Sequence, residues 1–536
     1  MPTTHDIVIR GGTVYDGTGV APRRGDVAIE GDRIAAVGTV PSRGALEIDA
    51  TGLSIAPGFI NMLSWATDSL FADGRSQSDI RQGVTLEVFG EGWSLGPLNE
   101  RMKKERLEQQ GDIKYDITWT TLDETLVHRG ISPNIASFVG ATTLRMHELA
   151  NDDRPPTPEE LARMRALVDA AMHDGALGVG SSLIYAPAAY ASTDELVALC
   201  EAASAYGGTY ISHMRSEGEG LLEAIDELID IARRAKVGAE IYHLKQSGRA
   251  NWRKLDDAIA RVERARAQGL QISADMYPYE AGATGLSACF PPWAHDGGPE
   301  ALRRRLGDDG QRTRIRDEMS RAGDGWENLY QDAGGPGGIL LVSFKKESLK
   351  PLTGRTLADV ARERGGDPRD VAMDLVKEDE SRVGMIAFVG SKENLSRESG
   401  LPWMSFGSDA GSIAPEGVFL KSQPHPRTYG TFARVLGHFI RDEQAATLED
   451  AIRRMTSFSA ANLRLDGRGS LRPGFFADVV AFDAATIRDH ATYERPHQYA
   501  TGVRHVLVNG TPVLRDGEHT DARPGRVVRG QGTRRR

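Results

Sequence analysis

The sequence predicts an α/β fold: a (β/α)8 TIM-like barrel with a small composite β-sandwich domain built from both termini. Short apolar strands alternate with longer amphipathic stretches from about residue 55 onward, a pattern typical of a parallel barrel. Short strands and turns occupy both chain ends. Glycine accounts for 60 of 536 residues without a collagen period, which favours many tight turns between strands and helices.

The two chain ends are predicted to form one small β-domain from residues 1–55 and 467–523. Residues 6–10 have an apolar centre with polar ends, and the pair Gly11-Gly12 turns the chain into a second strand. Strands resume late in the chain at residues 477–482. The last segment, residues 524–536, ends in three arginines and is expected to be a flexible tail.

The middle of the chain, residues 56–466, is predicted to be the barrel. Long spacers at 91–133 and 290–400 indicate extra helices and an insertion rich in charge and glycine. We expect the insertion to cover the barrel mouth. The eight strand candidates are 55–63, 84–89, 135–139, 177–182, 209–212, 240–242, 271–274 and 404–407.

Composition excludes several classes of protein. The 65 basic against 75 acidic residues give a net charge of −10, which argues against a nucleic-acid binder. Two cysteines exclude a disulfide scaffold, and no run of about 18 apolar residues indicates a membrane span. We therefore expect a cytoplasmic protein with a small-molecule partner. Its oligomeric state stays open, a homo-oligomer being one alternative.

Four polar residues come directly after apolar segments that are predicted to be barrel strands. They are Glu91, His213, His243 and Asp409. In a parallel barrel such strand ends meet at one face, where active sites lie. Two imidazoles with carboxylates predict a divalent metal site, for which zinc fits best. Glu91 is either a further ligand or a cap of the following segment.

The chain resembles the amidohydrolase superfamily, and within it the N-acyl-D-amino-acid deacylase (D-aminoacylase) family, over nearly its whole length. The similarity rests on short motifs that occur in the family's order. They are Ile9-Arg10-Gly11-Gly12-Thr13-Val14-Tyr15-Asp16-Gly17, Ala56-Pro57-Gly58-Phe59-Ile60, Gly83-Val84-Thr85, Gly180-Ser181-Ser182-Leu183-Ile184-Tyr185-Ala186-Pro187, His213-Met214-Arg215, His243-Leu244-Lys245, Asp275-Met276-Tyr277-Pro278-Tyr279, Gly407-Ser408-Asp409, His425-Pro426-Arg427 and Gly474-Phe475-Phe476-Ala477-Asp478-Val479-Val480.

The resemblance implies zinc-dependent hydrolysis of the amide bond of an N-acyl-D-amino acid or a D-configured peptide-like substrate. It implies that His213 and His243 bind the metal, and that Asp409 activates the metal-held water and then protonates the leaving amine. Four further positions match residues around the substrate, although ordinary packing roles stay open for them. Lys245 and Arg427 match a clamp for the substrate's carboxylate, and Tyr185 and Tyr277 match tyrosines beside it.

The sequence also departs from the family. Leu63 and Trp65 stand where the first-strand His-x-His would be, and neither side chain can ligate a metal. Gly92 takes the place of the second-strand cysteine, and serines take the place of the fourth-strand lysine. We therefore predict one zinc ion per chain, held by His213, His243, Asp409 and Glu91, with Trp65 as an apolar wall.

Two alternatives remain at the level of sequence. The same scaffold could act on a cyclic amide, a lactam or an ester. The loss of the first-strand histidines also leaves open a non-catalytic relic that binds a ligand or a partner.

Overall fold

The computed structural model describes residues 3–126, 130–323 and 325–535. Its centre is a barrel of eight parallel strands, here β1 to β8, and the predicted fold class is confirmed. The strands are β1 (Phe59–Asn61), β2 (Val84–Phe89), β3 (Asn134–Ser137, continued by Val139–Gly140), β4 (Gly178–Ser182), β5 (Thr209–His213), β6 (Ala239–Ile241), β7 (Ile272–Met276) and β8 (Met404–Phe406).

Each barrel strand pairs with its neighbour in parallel, in chain order from β1 to β8. The first and last strands close the ring. The Met62 N–H donates to the Phe406 carbonyl at 3.1 Å, and the Asp409 N–H donates to the Leu63 carbonyl at 2.8 Å. All eight carboxyl ends therefore open on one face.

Helices surround the barrel because each carries one apolar face. In Leu221–Ala235, for example, eight residues on one face are buried, while four acidic and two basic side chains lie on the rest of its surface. The α-helices around the barrel are Ser69–Ala72, Gln77–Ile80, Glu100–Gln109, Leu122–Leu126, Ala141–Leu149, Pro158–Asp174, Thr193–Ser204, Leu221–Ala235, Leu255–Ala267, Arg427–Arg434, Leu448–Met455 and Ser457–Asn462, with a π-helix at Val435–Asp442. Residues 127–129 of the predicted 91–133 spacer lie outside the described residues.

Strands from both chain ends form one nine-stranded sheet beside the barrel. Its centre joins the termini, since Ser54–Pro57 pairs with Val479–Phe482 on one side and with Thr3–Val14 on the other. The remaining strands are Arg23–Glu30, Arg33–Gly38, Arg43–Asp49, Val503–Val508, Thr511–Arg515 and Glu518–His519.

The predicted first barrel strand, residues 55–63, was wrong as a single element. Ser54–Pro57 belongs to the terminal sheet, and only Phe59–Asn61 belongs to the barrel. The chain changes sheets at Gly58, where a Cβ atom would lie 2.1 Å from the Thr85 hydroxyl oxygen. A side chain has no room there, so glycine permits the crossing.

Between β7 and β8 the chain builds a separate unit with its own hydrophobic core. A three-stranded antiparallel sheet of Ala281–Gly285, Ile339–Ser343 and Gly384–Phe388 is its centre. Its α-helices are Gly298–Arg305, Asp309–Met319, Leu329–Asp332, Leu357–Arg364, Pro368–Asp379 and Lys392–Ser399. Short 3-10 helices occur here and elsewhere at Ala188–Tyr190, Trp252–Lys254, Leu286–Cys289, Pro292–His295, Pro336–Gly338, Lys350–Leu352, Gly417–Lys421 and Gln531–Arg535.

The end of the chain, expected to be a flexible tail, lies along the barrel over residues 525–530. Backbone hydrogen bonds join Val528 to Ile135 and Gly530 to Gly175. The last residue, Arg536, lies outside the described residues. Within the described part of the chain, no helix combines the length and the apolar character that a membrane crossing requires.

Candidate metal centre and active-site cavity

The eight predicted site residues line one cavity of about 370 Å³. It opens at the carboxyl ends of the barrel strands, on the side that the segment between β7 and β8 adjoins. The residues that the sequence places at strand ends therefore lie together around this cavity. The eight residues are Glu91, Tyr185, His213, His243, Lys245, Tyr277, Asp409 and Arg427.

Three of these residues, Glu91, His213 and His243, form a compact group whose side chains are able to hold a metal ion together, and we refer to them as the metal-binding group. The Glu91 Oε1 atom lies 2.8 Å from His213 Nδ1 and 3.1 Å from His243 Nε2. All three side chains are buried. Burial alone would raise the pKa of the Glu91 carboxyl, but the hydrogen bonds from the two imidazoles bring it well below its usual range. The carboxylate is therefore held in its ionised form.

Local backbone geometry aims these side chains into the cavity. Gly90 has φ +113°, and a Cβ atom there would lie 2.6 Å from the Phe138 carbonyl oxygen. His243 and Asp409 have φ of 34° and 49°, a left-handed region that ordinary residues avoid. The Asp275 carboxylate holds His243 in place by accepting its backbone N–H at 2.9 Å.

Asp409 lies in the same cavity but outside the metal-binding group found among the described residues. Its Oδ2 atom is 2.7 Å from Arg427 Nη1. Burial raises the pKa of the Asp409 carboxyl, and the Arg427 guanidinium offsets part of this effect. His425 positions Arg427 in turn, because its Nδ1 atom accepts the Arg427 backbone N–H at 3.0 Å.

Glu217 is a site residue that the sequence argument missed. Its Oε1 atom lies 2.7 Å from Lys245 Nζ and 2.8 Å from His243 Nδ1. Burial would raise the pKa of this carboxyl, but Lys245 and the two histidines together lower it below its usual range. Glu217 thus connects His243, a predicted metal ligand, to Lys245, which is predicted to bind the substrate's carboxylate. Its position four residues after His213, in a polar loop, is the only sequence signal for it.

Each of the two tyrosines packs against one histidine of the group. The Tyr185 ring packs edge-on against His213 with centroids 5.3 Å apart. Tyr277 packs against His243 at 6.1 Å and lies beneath the Arg427 guanidinium at 4.4 Å. Burial raises the pKa of the Tyr185 phenol, so this hydroxyl stays protonated and can donate a hydrogen bond.

The residues that replace the first-strand histidines have different roles in the structure. Leu63 is fully buried in the barrel core. Trp65 lines the cavity with its side chain partly exposed, as the predicted wall residue should. It also donates from indole Nε1 to Glu91 Oε2 at 2.7 Å, a contact that the sequence did not indicate.

One side of the cavity comes from the segment between β7 and β8. Leu329, Arg382 and Val389 contribute to this wall. Arg382 is exposed. Its guanidinium donates to the Thr284 hydroxyl at 3.2 Å and lies 5.2 Å from the centre of the Tyr185 ring. No carboxylate of the described residues forms an ion pair with it.

The donor set fits a divalent ion such as zinc. One ligand atom from each of Glu91, His213 and His243 lies within 4.8 Å of the other two. His213 Nε2 is buried and has no hydrogen-bond partner among the described residues. Two imidazoles and one carboxylate are a common zinc ligand set, and three protein ligands leave one coordination position open.

Comparison with known proteins gives one consistent result. A family model described as "Amidohydrolase family" matches residues 341–514. The chain is 34% identical over 528 residues to D-aminoacylase of Alcaligenes xylosoxydans xylosoxydans, a match that covers 98% of this chain and 97% of the relative.

Solved structures agree in fold. A structure of D-aminoacylase, described as having a binuclear metal centre with one-metal activation and second-metal attenuation, matches with a TM-score of 0.81 at 32% identity; it covers 98% of this chain and 100% of that one. N-acyl-D-glutamate deacylase from Bordetella bronchiseptica, in complex with zinc and a phosphonate inhibitor, matches with a TM-score of 0.79 at 29% identity, covering 98% of this chain and 99% of that one.

Proposed function

The chain belongs to the amidohydrolase family of D-aminoacylase and the N-acyl-D-amino-acid deacylases, and from this premise we propose that it hydrolyses the linear amide bond of N-acyl-D-amino acids. The observation that carries the proposal is the metal-binding group Glu91, His213 and His243, which shares one cavity with Asp409 and with the cationic side chains of Lys245 and Arg427. The substrate is a small molecule that carries a carboxylate.

We infer that one zinc ion is held by Glu91, His213 and His243. When bound, such an ion supplies Lewis-acid chemistry to the scissile carbonyl. Asp409 lines the same cavity but is not part of the group, so its carboxylate, paired with Arg427, is available as the base. It accepts that proton from the attacking water at a carboxylate oxygen and then delivers it to the leaving amine.

Binding of the substrate's carboxylate falls to Arg427 and Lys245. The Nε atom of Arg427 is buried and has no hydrogen-bond partner among the described residues, so an anionic group can use it. Lys245 keeps its positive charge, because Glu217 outweighs burial and raises the pKa of the ammonium above its usual range. Tyr185 is protonated and suited to donate to a developing oxyanion.

The experiment combines metal analysis with one conservative substitution. Purified protein should hold about one equivalent of zinc and hydrolyse N-acyl-D-amino acids in preference to their L-enantiomers. Asp409→Asn should keep the metal and lose about 100-fold or more in kcat, the range typical of general acid–base groups. An active protein without metal, or an undiminished Asp409→Asn, would contradict the proposal.

A further inference from the structure

We propose that Trp65 is a positioning residue for the metal centre: its indole N–H fixes the Glu91 carboxylate so that one oxygen faces the two imidazoles. In this view the residue that replaces a histidine ligand does not merely fill space. It makes the carboxylate a one-oxygen ligand and restricts the centre to one ion. The inference rests on the proposed function, since it concerns the same site.

The first evidence is that the two oxygens of the Glu91 carboxylate have different hydrogen-bond partners. Oε1 lies 2.8 Å from His213 Nδ1 and 3.1 Å from His243 Nε2, while Oε2 accepts the Trp65 Nε1–H at 2.7 Å. The Glu91 residue is only 5% exposed. A carboxylate held by both oxygens cannot rotate about its last bond without breaking a hydrogen bond.

The second evidence is the chemistry of the indole. Its Nε1–H donates a hydrogen bond and has no lone pair for a metal. Trp65 thus satisfies the second carboxylate oxygen without adding a ligand. A histidine at this position would offer a nitrogen ligand and open the way to a second ion.

The third evidence is how firmly the structure holds the Trp65 backbone. The Trp65 N–H donates to the Ala410 carbonyl at 2.9 Å, next to Asp409. The preceding residue, Ser64, donates its backbone N–H to the Val88 carbonyl at 2.8 Å. These bonds connect the tryptophan to the strand end before Glu91 and to the loop that carries Asp409.

The exposure of Trp65 argues against a purely structural role. Its side chain is 37% exposed, one of the few large apolar side chains with that much exposed surface. A tryptophan needed for core packing would be buried. Here the ring stands at the cavity wall, and its polar atom points at a buried carboxylate.

Two substitutions distinguish the contribution of the Trp65 N–H donor from that of its aromatic ring. Trp65→Phe keeps a ring and removes the N–H, whereas Trp65→Gln removes the ring and keeps an N–H at similar reach. Zn²⁺ affinity is measured by competition with a chelator, and the melting temperature reports folding. Trp65→Phe should bind zinc about 10- to 100-fold more weakly, the usual effect of losing a hydrogen-bond partner of a ligand. Trp65→Gln should stay within about threefold of the wild type.

Trp93→Phe is the matched control, because Trp93 lines the same cavity and its replacement leaves the Trp65–Glu91 bond intact. It should bind zinc like the wild type. The double substitution Leu63→His with Trp65→His should raise the zinc content from about one to about two equivalents. Wild-type affinity in Trp65→Phe, or equal losses in Trp65→Phe and Trp93→Phe, would overturn the inference.

The outcomes separate this inference from the proposed function. If the wild type binds about one zinc and Trp65→Phe binds equally well, only the inference fails. If the wild type binds no zinc, both fail. If Trp65→Phe does not fold, Trp65→Gln decides alone: affinity within about threefold of the wild type supports the donor role, and a loss of tenfold or more overturns it.

Discussion

The two sides of the active-site cavity differ in how their charges are held. On the barrel side the ionisable groups are buried and each faces an opposite charge, as Glu91 faces two histidines and Asp409 faces Arg427. On the side built between β7 and β8, Arg382 is exposed and has only a hydroxyl and an aromatic ring beside it. The barrel side is thus arranged for chemistry before substrate arrives, while the other side can respond to the substrate that enters.

The largest effect should follow from breaking a charge pair on the barrel side. In Arg427→Met, Asp409 is left buried without its counter-charge. Loss of one partner of such a pair costs about 2–5 kcal/mol, so kcat/KM should fall about 100-fold or more at about 1.4 kcal/mol per factor of ten. Steady-state kinetics with an N-acyl-D-amino acid as substrate measures this fall in kcat/KM.

The pH profile of Arg427→Met gives an independent check. Burial raises the pKa of the Asp409 carboxyl and Arg427 opposes that rise, so its removal should raise the pKa further. Asp409 takes up a proton only when it is ionised. Activity on the acid side should therefore fall away at a higher pH than in the wild type. Arg427→Lys keeps the charge and should shift less; an unmoved acid limb in Arg427→Met would argue against Asp409 as the base.

A smaller loss of zinc affinity or activity is expected from replacing Glu217, which contacts a residue of the metal-binding group but does not belong to that group. Glu217→Gln removes the carboxylate that faces both His243 and Lys245. Outer partners of this kind typically contribute about 10- to 100-fold in metal affinity or activity. Glu219→Gln is the matched control, because Glu219 is exposed and only two residues away. Equal zinc affinity in the two variants would show that Glu217 does not orient His243.

The same contrast explains how much of the site the sequence could predict. His213, His243 and Asp409 end barrel strands, and parallel strand ends must meet at one face. Eight residues located in this way, or by family motifs, do line the cavity. Alternating strands and helices likewise predicted the barrel, although not the change of sheet at Gly58, which depends on the space left beside Thr85.

The residues that the sequence argument missed depend on contacts between distant parts of the chain. Glu217 lies in a loop without periodicity, and its role appears only when that loop folds back on His243. Arg382 reaches the cavity because Gly384–Phe388 pairs with Ala281–Gly285 about a hundred residues earlier. Trp65 was expected at the wall, but its bond to Glu91 depends on the orientation of a side chain.

The smallest effect should come from the open side, and it should depend on the substrate. Because Arg382 has no carboxylate partner among the described residues, it can meet an acidic side chain of the D-amino acid. Arg382→Gln should raise KM by about 1.5- to fivefold for N-acyl-D-aspartate or N-acyl-D-glutamate, since exposed ion pairs contribute only about 0.2–1 kcal/mol and about 1.4 kcal/mol corresponds to a factor of ten. It should leave kcat, and KM for N-acyl-D-methionine, unchanged. Arg314→Gln, in the same segment but outside the cavity lining, is the control. Equal changes for acidic and neutral substrates would mean that this side of the cavity does not recognise charge.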